Sequence, residues 1–157
     1  MSTTSKSLTL VTLVIFTLTL GIPSDAISVV TPPITPCYIE VDDAHISTYL
    51  LRKEGTRAVK VNARSVCNQP MRKLKLTVEI YKERLFGDKL VAFDSVVVPT
   101  GIPGNKVIRN EKVSAKCLNS KESRYYGIAY ATAVIGNKSL KTFKVRSEQT
   151  VTIRCGV

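Results

Sequence analysis

The chain of 157 residues contains no tryptophan and a single histidine, His45. A site built on two histidines is therefore excluded, and a Ser-His-Asp or Cys-His arrangement has only one base available. His45 follows Asp42 and Asp43. These three residues could take part in catalysis only if a nucleophile lay close by, and they are otherwise typical of solvent-exposed turns. The two carboxylates lack the spacing of a calcium loop. We predict that the protein is not an enzyme and has no cofactor and no metal site.

The sequence also lacks an apolar run long enough to span a membrane as a helix. Its longest run, Leu8–Leu20, is shorter than the roughly 20 residues required. One cation, Lys6, precedes this run, and Pro23 and a small-residue site ending at Ala26 follow it. That order is typical of a signal peptide, with an uncleaved membrane anchor as the alternative.

This order of segments predicts three regions and a location. Residues 1–26 form a signal peptide, residues 27–36 a proline-rich spacer, and residues 37–157 one folded domain. We expect the mature protein to be secreted and to meet a membrane only through the signal peptide, before cleavage.

Cysteine is scarce as well, with four residues, Cys37, Cys67, Cys117 and Cys155, and no Cys-x-x-Cys pair. An even number in an exported chain predicts two disulfides rather than a zinc site. If the strands run up and down, Cys37 and Cys67 lie at one end of the domain and Cys117 and Cys155 at the other. A ten-residue strand spans roughly 33 Å, and a bridge needs Cα atoms within about 7 Å. The pairs Cys37–Cys67 and Cys117–Cys155 are therefore favoured among three connectivities.

Apolar and polar residues alternate with a period of two along most of the presumed domain. Clear examples are Val59–Cys67, Leu74–Ile80, Val113–Cys117 and Val151–Cys155. This pattern is typical of half-buried antiparallel strands. Turn-forming segments separate the runs, namely Arg52–Gly55, Asn68–Pro70, Phe86–Asp88, Pro99–Asn105 and Ile135–Lys138. We predict an all-β, immunoglobulin-like antiparallel β-sandwich of about seven strands, and we find no helical stretch of convincing length.

The segment Tyr125–Ile135 differs from the other runs because one of its faces carries only small residues, namely Gly127, Ala129, Ala131 and Ala133. Small side chains allow a facing sheet to approach closely. The opposite face carries Tyr126 and Tyr130, among larger residues that need some other cover. This face belongs either to a central strand or to a tyrosine-lined recognition surface, since tyrosine is enriched at interfaces.

Four segments together resemble small secreted immunoglobulin-like proteins of actinobacteria. They are the Cys67-Asn68-Gln69-Pro70 turn, Ala115-Lys116-Cys117, Tyr125-Tyr126-Gly127-Ile128-Ala129-Tyr130-Ala131, and Ile153-Arg154-Cys155. The likeness spans most of residues 37–155 and rests on spacing and small residues. It implies the β-sandwich fold and an extracellular location. It implies no activity, because that group has no established catalytic residues.

The net charge is +11, and it stays +11 without residues 1–26, which contain one cation, Lys6, and one anion, Asp25. We expect four cations to lie on the outward faces of two neighbouring strands, namely Lys60, Arg64, Lys112 and Lys116. Further cations would cover a second sheet, namely Lys73, Lys75, Lys141, Lys144, Arg146 and Arg154. This spread, together with export, argues against nucleic acid as the partner. It favours attraction to an anionic polymer, lipid or host surface, unless the charge serves solubility alone.

Two functions of different class follow from these features. The first is an exported, non-catalytic interaction domain whose partner is an anionic polymer or another extracellular protein. The second is a small secreted hydrolase or protease inhibitor, in which either His45 or the exposed loop Thr100–Asn105, with Ile102 at its tip, is the functional element. Asn137 begins a glycosylation sequon, which matters only in a eukaryotic source and otherwise serves as a turn residue.

Overall fold

The computed structural model describes residues 36–142 and 144–157. The predicted signal peptide and all of the spacer except Pro36 lie outside these residues. Within them the chain is mostly β, with one short helix, α1 (Thr48–Glu54). The strands are β1 (Cys37–Val41), β2 (His45–Ile46), β3 (Ala58–Lys60), β4 (Ala63–Cys67), β5 (Met71–Lys82), β6 (Lys89–Val98), β7 (Val107–Asn110), β8 (Ser114–Lys116), β9 (Asn119–Ile135), β10 (Lys138–Lys141), β11 (Val145–Arg146) and β12 (Val151–Gly156).

These strands form three antiparallel sheets. The largest has the order β10-β9-β5-β6, with β11 and β12 also paired to β9, and the smaller sheets have the orders β1-β4-β7 and β2-β3-β8. The predicted β-rich, antiparallel architecture is therefore confirmed. Twelve strands are assigned in the described residues, more than the seven or so predicted, and four of them have only two or three residues.

The core lies on the inner face of β5, where the predicted alternation is confirmed. Leu74, Leu76, Val78 and Ile80 are fully buried. They form one cluster with residues of the smaller sheets and of β9, including Ile39, Val59, Ala63, Ala129, Ala131 and Ala133. Burial of apolar side chains on alternate positions therefore joins all three sheets around one core.

The small-residue face of β9 allows the close approach that the sequence predicts. A Cβ atom added to Gly127 would lie 2.5 Å from Cγ1 of Val61 and 3.0 Å from Cγ1 of Val41. Those distances leave no room for a side chain at this position.

The run Val59–Cys67 is one alternating segment in the sequence but two strands in the structure. Its first part, β3, pairs with β2 and β8, and its second part, β4, pairs with β1 and β7. The chain passes from one sheet to the other at Val61 and Asn62 while Val59, Val61, Ala63, Ser65 and Cys67 all remain buried. Alternation reports which side chains face the core, but it does not report which strand is the partner.

The sequence shows no helical stretch of convincing length, yet Thr48–Glu54 forms the short helix α1. The backbone amide of Leu50 donates to the hydroxyl of Ser47, which caps the helix N-terminus, and Gly55 ends the helix with a φ of 61°. That left-handed conformation suits glycine. No residue of α1 is buried, so the helix has no apolar stripe that a periodicity could detect.

Both disulfides have the predicted connectivity. Cys37 is bonded to Cys67 and Cys117 to Cys155, with Cα–Cα distances of 3.9 and 4.9 Å. The first bridge joins residues that lie opposite each other in the β1–β4 register. Two disulfides are consistent with an extracellular protein.

Candidate binding surfaces

The four predicted binding cations do not form one face. Lys60 on β3 and Lys116 on β8 lie on neighbouring strands as predicted, although Lys60 pairs in register with Ser114. Arg64 lies on β4 in a different sheet and forms an ion pair with Glu40. Lys112 is exposed in the connection between β7 and β8. The prediction is therefore wrong for Arg64, because the chain crosses to another sheet after β3, and for Lys112, because it precedes β8 and lies in no strand.

The tyrosine face of β9 is buried at Tyr126 and half-buried at Tyr130. Tyr126 is only 6% exposed, and its hydroxyl donates to Oδ2 of Asp88 at 2.6 Å. Its ring stacks on that of Tyr81 with the centroids 5.4 Å apart, and the guanidinium carbon of Arg146 lies 3.8 Å from the ring centroid. Tyr81, Asp88 and Arg146 therefore cover Tyr126, as the sequence required for the large side chains of this face.

Glu79 of β5 is the centre of a hydrogen-bond network on the same outer face. The hydroxyls of Tyr81 and Tyr130 each donate to its carboxylate at 3.1 Å, and Nζ of Lys144 lies 3.4 Å from Oε2. Lys144 also lies 5.0 Å from the ring centroid of Tyr130. Glu79 belongs to the predicted polar face of its strand, but this network leaves it 9% exposed.

The environment of these phenols favours their protonated form. Burial, followed by the hydrogen bond to Asp88, raises the pKa of Tyr126 to about 12. Burial and the hydrogen bond to Glu79 also raise the pKa values of Tyr81 and Tyr130. At neutral pH the three phenols are therefore hydrogen-bond donors, and the network braces the outer face of the large sheet.

The polar groups around His45 form hydrogen bonds with other parts of the fold. Nδ1 of His45 lies 3.0 Å from the carbonyl oxygen of Asp43. The carboxylate of Asp43 accepts from the backbone amide of Gln149 at 2.9 Å, and that of Asp42 accepts from the side-chain amide of Asn62 at 3.0 Å. These contacts join connecting segments to one another. Among the described residues no cluster of histidine, cysteine, aspartate and glutamate side chains has the arrangement of a metal site.

The loop Thr100–Asn105 does not present Ile102 at an exposed tip. Ile102 is 4% exposed, and its backbone amide and carbonyl both bond to those of Met71, at 2.8 and 2.9 Å. The loop therefore packs against the start of β5. Ile102 and Met71 also line a cleft of about 510 Å³ that extends to Asn137, which lies exposed in the β9–β10 turn.

The most exposed apolar residues lie at the start of the predicted turn Phe86–Asp88 and directly before it. Leu85 and Phe86 in the β5–β6 hairpin are 96% and 99% exposed. The missed signal is the position of Leu-Phe directly after Lys82-Glu83-Arg84, in a turn that offers these side chains no core. Large exposed apolar side chains next to one another mark an interaction site more often than isolated ones do.

Within the described residues, no helix has the length and apolarity required to cross a membrane. Comparison of the chain with models of known protein families finds no match, and comparison with curated proteins finds no significant match.

Proposed function

We propose that the protein is an exported, non-catalytic interaction domain that attaches to anionic surfaces of a cell envelope or a host. The observation that carries this proposal is the surplus of positive charge on the folded domain. Residues 27–157 retain the whole net charge of +11. The five ion pairs among the described residues each use one acidic side chain, namely Glu40, Glu79, Glu83, Glu111 and Glu122. A surplus of this size draws the protein towards polyanions.

The non-catalytic part of the proposal is supported by the reactive side chains, which bond to other groups of the fold. The four cysteines form disulfides. The carboxylates of Asp42, Asp43 and Glu79 accept hydrogen bonds from neighbouring groups of the fold. The phenols of Tyr126 and Tyr130 are held protonated at neutral pH.

An immunoglobulin-like sandwich is part of the same proposal. Its support is the set of antiparallel sheets around one core, the two disulfides and the resemblance of the sequence segments described above. Such domains present loops and sheet faces to partners while the core remains rigid.

The proposal predicts binding that salt weakens steeply. Attachment of the secreted protein to dextran sulfate or to anionic vesicles should fall as sodium chloride rises, because the Debye length shrinks from about 10 Å at 0.1 M to about 3 Å at 1 M. The triple variant Lys60→Glu, Lys112→Glu and Lys116→Glu should weaken binding, whereas Lys→Arg at the same positions is the matched control. Arg64 is left unchanged because Arg64→Glu would place a second carboxylate beside that of Glu40. Binding that is indifferent to salt and to charge reversal would refute the proposal.

A further inference from the structure

The β5–β6 hairpin combines an apolar tip with basic flanks. Leu85 and Phe86 point away from the core with nearly their whole side chains in solvent. Lys82 and Arg84 precede this pair and Lys89 follows it, and Lys121 and Arg124 lie on the adjacent part of β9. No other pair of neighbouring residues among those described is both large and apolar and so fully exposed.

These cations are close enough to influence one another. Burial lowers the pKa of Lys82, and the charges of Arg84, Lys121 and Lys89 lower it further. Arg124 forms an ion pair with Glu83 at 2.6 Å, whereas Lys121, Arg84 and Lys89 form none within the described residues. The two acidic side chains of the hairpin, Glu83 and Asp88, are therefore outnumbered by the five basic side chains, namely Lys82, Arg84, Lys89, Lys121 and Arg124.

The hairpin is held in place by Asp88. Its carboxylate accepts the backbone amide of Arg84 at 3.3 Å across the loop and the hydroxyl of Tyr126 at 2.6 Å from β9. The hydrogen bond from Tyr126 is the main reason that the pKa of Asp88 is lowered. These contacts fix the base of the loop, so that the exposure of Leu85 and Phe86 is built into the fold.

A cleft of about 480 Å³ lies beside the tip, and Leu85, Arg84 and Arg124 line it together with Glu83 and Asp88. A guanidinium group is well suited to a phosphate because it can donate two parallel hydrogen bonds. Arg84 forms no ion pair among the described residues, so its guanidinium is available to the phosphate of a lipid headgroup, whereas that of Arg124 is held by Glu83.

We propose that this hairpin is a membrane-docking site, which inserts Leu85 and Phe86 into the interface of a bilayer containing anionic phospholipids. The inference rests on the proposed function and names a phospholipid surface as the anionic partner. A soluble polyanion would leave the two apolar side chains in water. An apolar pocket of another protein would not require the surrounding cations, whereas an anionic bilayer complements both features.

A single tryptophan reports directly on insertion, because the chain has none. The emission of Phe86→Trp should shift to the blue with phosphatidylcholine–phosphatidylglycerol vesicles and should remain unchanged with inorganic phosphate. Phe93→Trp is the matched control, since Phe93 is 68% exposed but lies on β6 beyond the hairpin. Absence of a shift at Phe86, or an equal shift with phosphate alone, would overturn the proposal.

Vesicle flotation of the secreted protein separates insertion from simple charge attraction. Leu85→Ser with Phe86→Ser should lower partition into the same vesicles at least about tenfold, while binding to dextran sulfate stays unchanged. Phe93→Ser with Val97→Ser removes exposed apolar surface from β6, away from the tip, and should have little effect. Arg84→Glu with Lys89→Glu should lower partition by about fivefold or more for each residue.

The possible failures are distinguishable. If the Leu85/Phe86 variant still floats with vesicles as the wild type does, the docking site is wrong and the proposed attraction to anionic surfaces stands. If the wild type binds neither vesicles nor dextran sulfate, the proposed function itself fails. Binding that needs Leu85 and Phe86 but is directed to a protein and not to vesicles would also overturn the lipid assignment.

Discussion

At the scale of single residues, Tyr126 connects the outer face of the large sheet to the β5–β6 hairpin. Its ring stacks on that of Tyr81 and contacts the guanidinium of Arg146, and its hydroxyl donates to Asp88 at the base of the hairpin. The sequence singled out Tyr126 as a contact residue for a partner. In the structure its contacts are within the protein, where it positions a segment that is itself exposed.

The raised pKa of Tyr126 predicts a pH dependence of stability. A phenol whose pKa rises from 10.0 to about 12 on folding stabilises the folded state while it is protonated. This contribution is complete below pH 10 and is lost as the pH rises through about 12. The difference in free energy of unfolding between wild type and Tyr126→Phe should therefore be constant below pH 10 and should shrink above it.

Urea unfolding at a series of pH values measures this difference. Tyr49→Phe is the control, because Tyr49 is 63% exposed and its replacement should leave the profile close to that of the wild type. A difference that stays the same beyond pH 12 would contradict the role assigned to the Tyr126 hydroxyl.

Gly127 provides a second test at the residue scale. Gly127→Ala should destabilise the protein by about 1–3 kcal/mol, since the new methyl group would overlap Val61 and strain the packed core. Gly101→Ala is the matched control, because a Cβ atom there meets nothing within 4 Å. Chemical denaturation compares the two variants, and equal stabilities would show that β9 does not require a small residue at this position.

At the scale of elements, alternation predicts burial better than it predicts pairing. The buried faces of β5, β9 and β12 agree with the sequence because each side chain's orientation depends on local backbone geometry. The separation of β3 from β4 depends on distant strands, which a local pattern does not contain. Lys60 and Lys116 lie on paired strands, as predicted. Arg64 does not join them, because its strand β4 pairs within a different sheet.

The short helix and the exposed hairpin escaped prediction for different physical reasons. In α1, only the capping residues Ser47 and Gly55 mark the helix, since no face of it is buried. In the hairpin, the signal was the position of Leu85 and Phe86 at a turn directly after three charged residues, and the structure shows that both side chains are exposed.

The disulfides also act at this scale, because each fixes the ends of separate strands. Replacing Cys117 and Cys155 by alanine should lower the free energy of unfolding by about 3–4 kcal/mol, and so should replacing Cys37 and Cys67, since the closed loops span 38 and 30 residues. Denaturant unfolding of the two double variants measures these losses. Non-reducing peptide mapping should recover the same two pairs, and a peptide joining Cys67 to Cys117 would contradict the fold.

At the scale of the whole molecule, the predicted export, the two disulfides and the positive charge are consistent with one another. Two bridges persist where the environment is oxidising, and a surplus of cations is useful where the partners are acidic surfaces. Because residues 1–26 carry one cation and one anion, their removal leaves the net charge unchanged. The predicted mature domain therefore keeps the positive charge on which the proposed attraction to anionic surfaces rests.

Intact-mass measurement of the secreted product tests the predicted cleavage of the signal peptide. Cleavage after Ala26 should leave Ile27 as the new N-terminus, because a polar start, a short apolar run and a small-residue site are the features that signal peptidase requires. Ala26→Pro should block or displace the cut, whereas Ala26→Ser, which keeps a small residue, is the matched control. A product that still begins at Met1 would contradict export by cleavage, and it would place both bridges and the proposed surface binding in a different compartment from the one on which they depend.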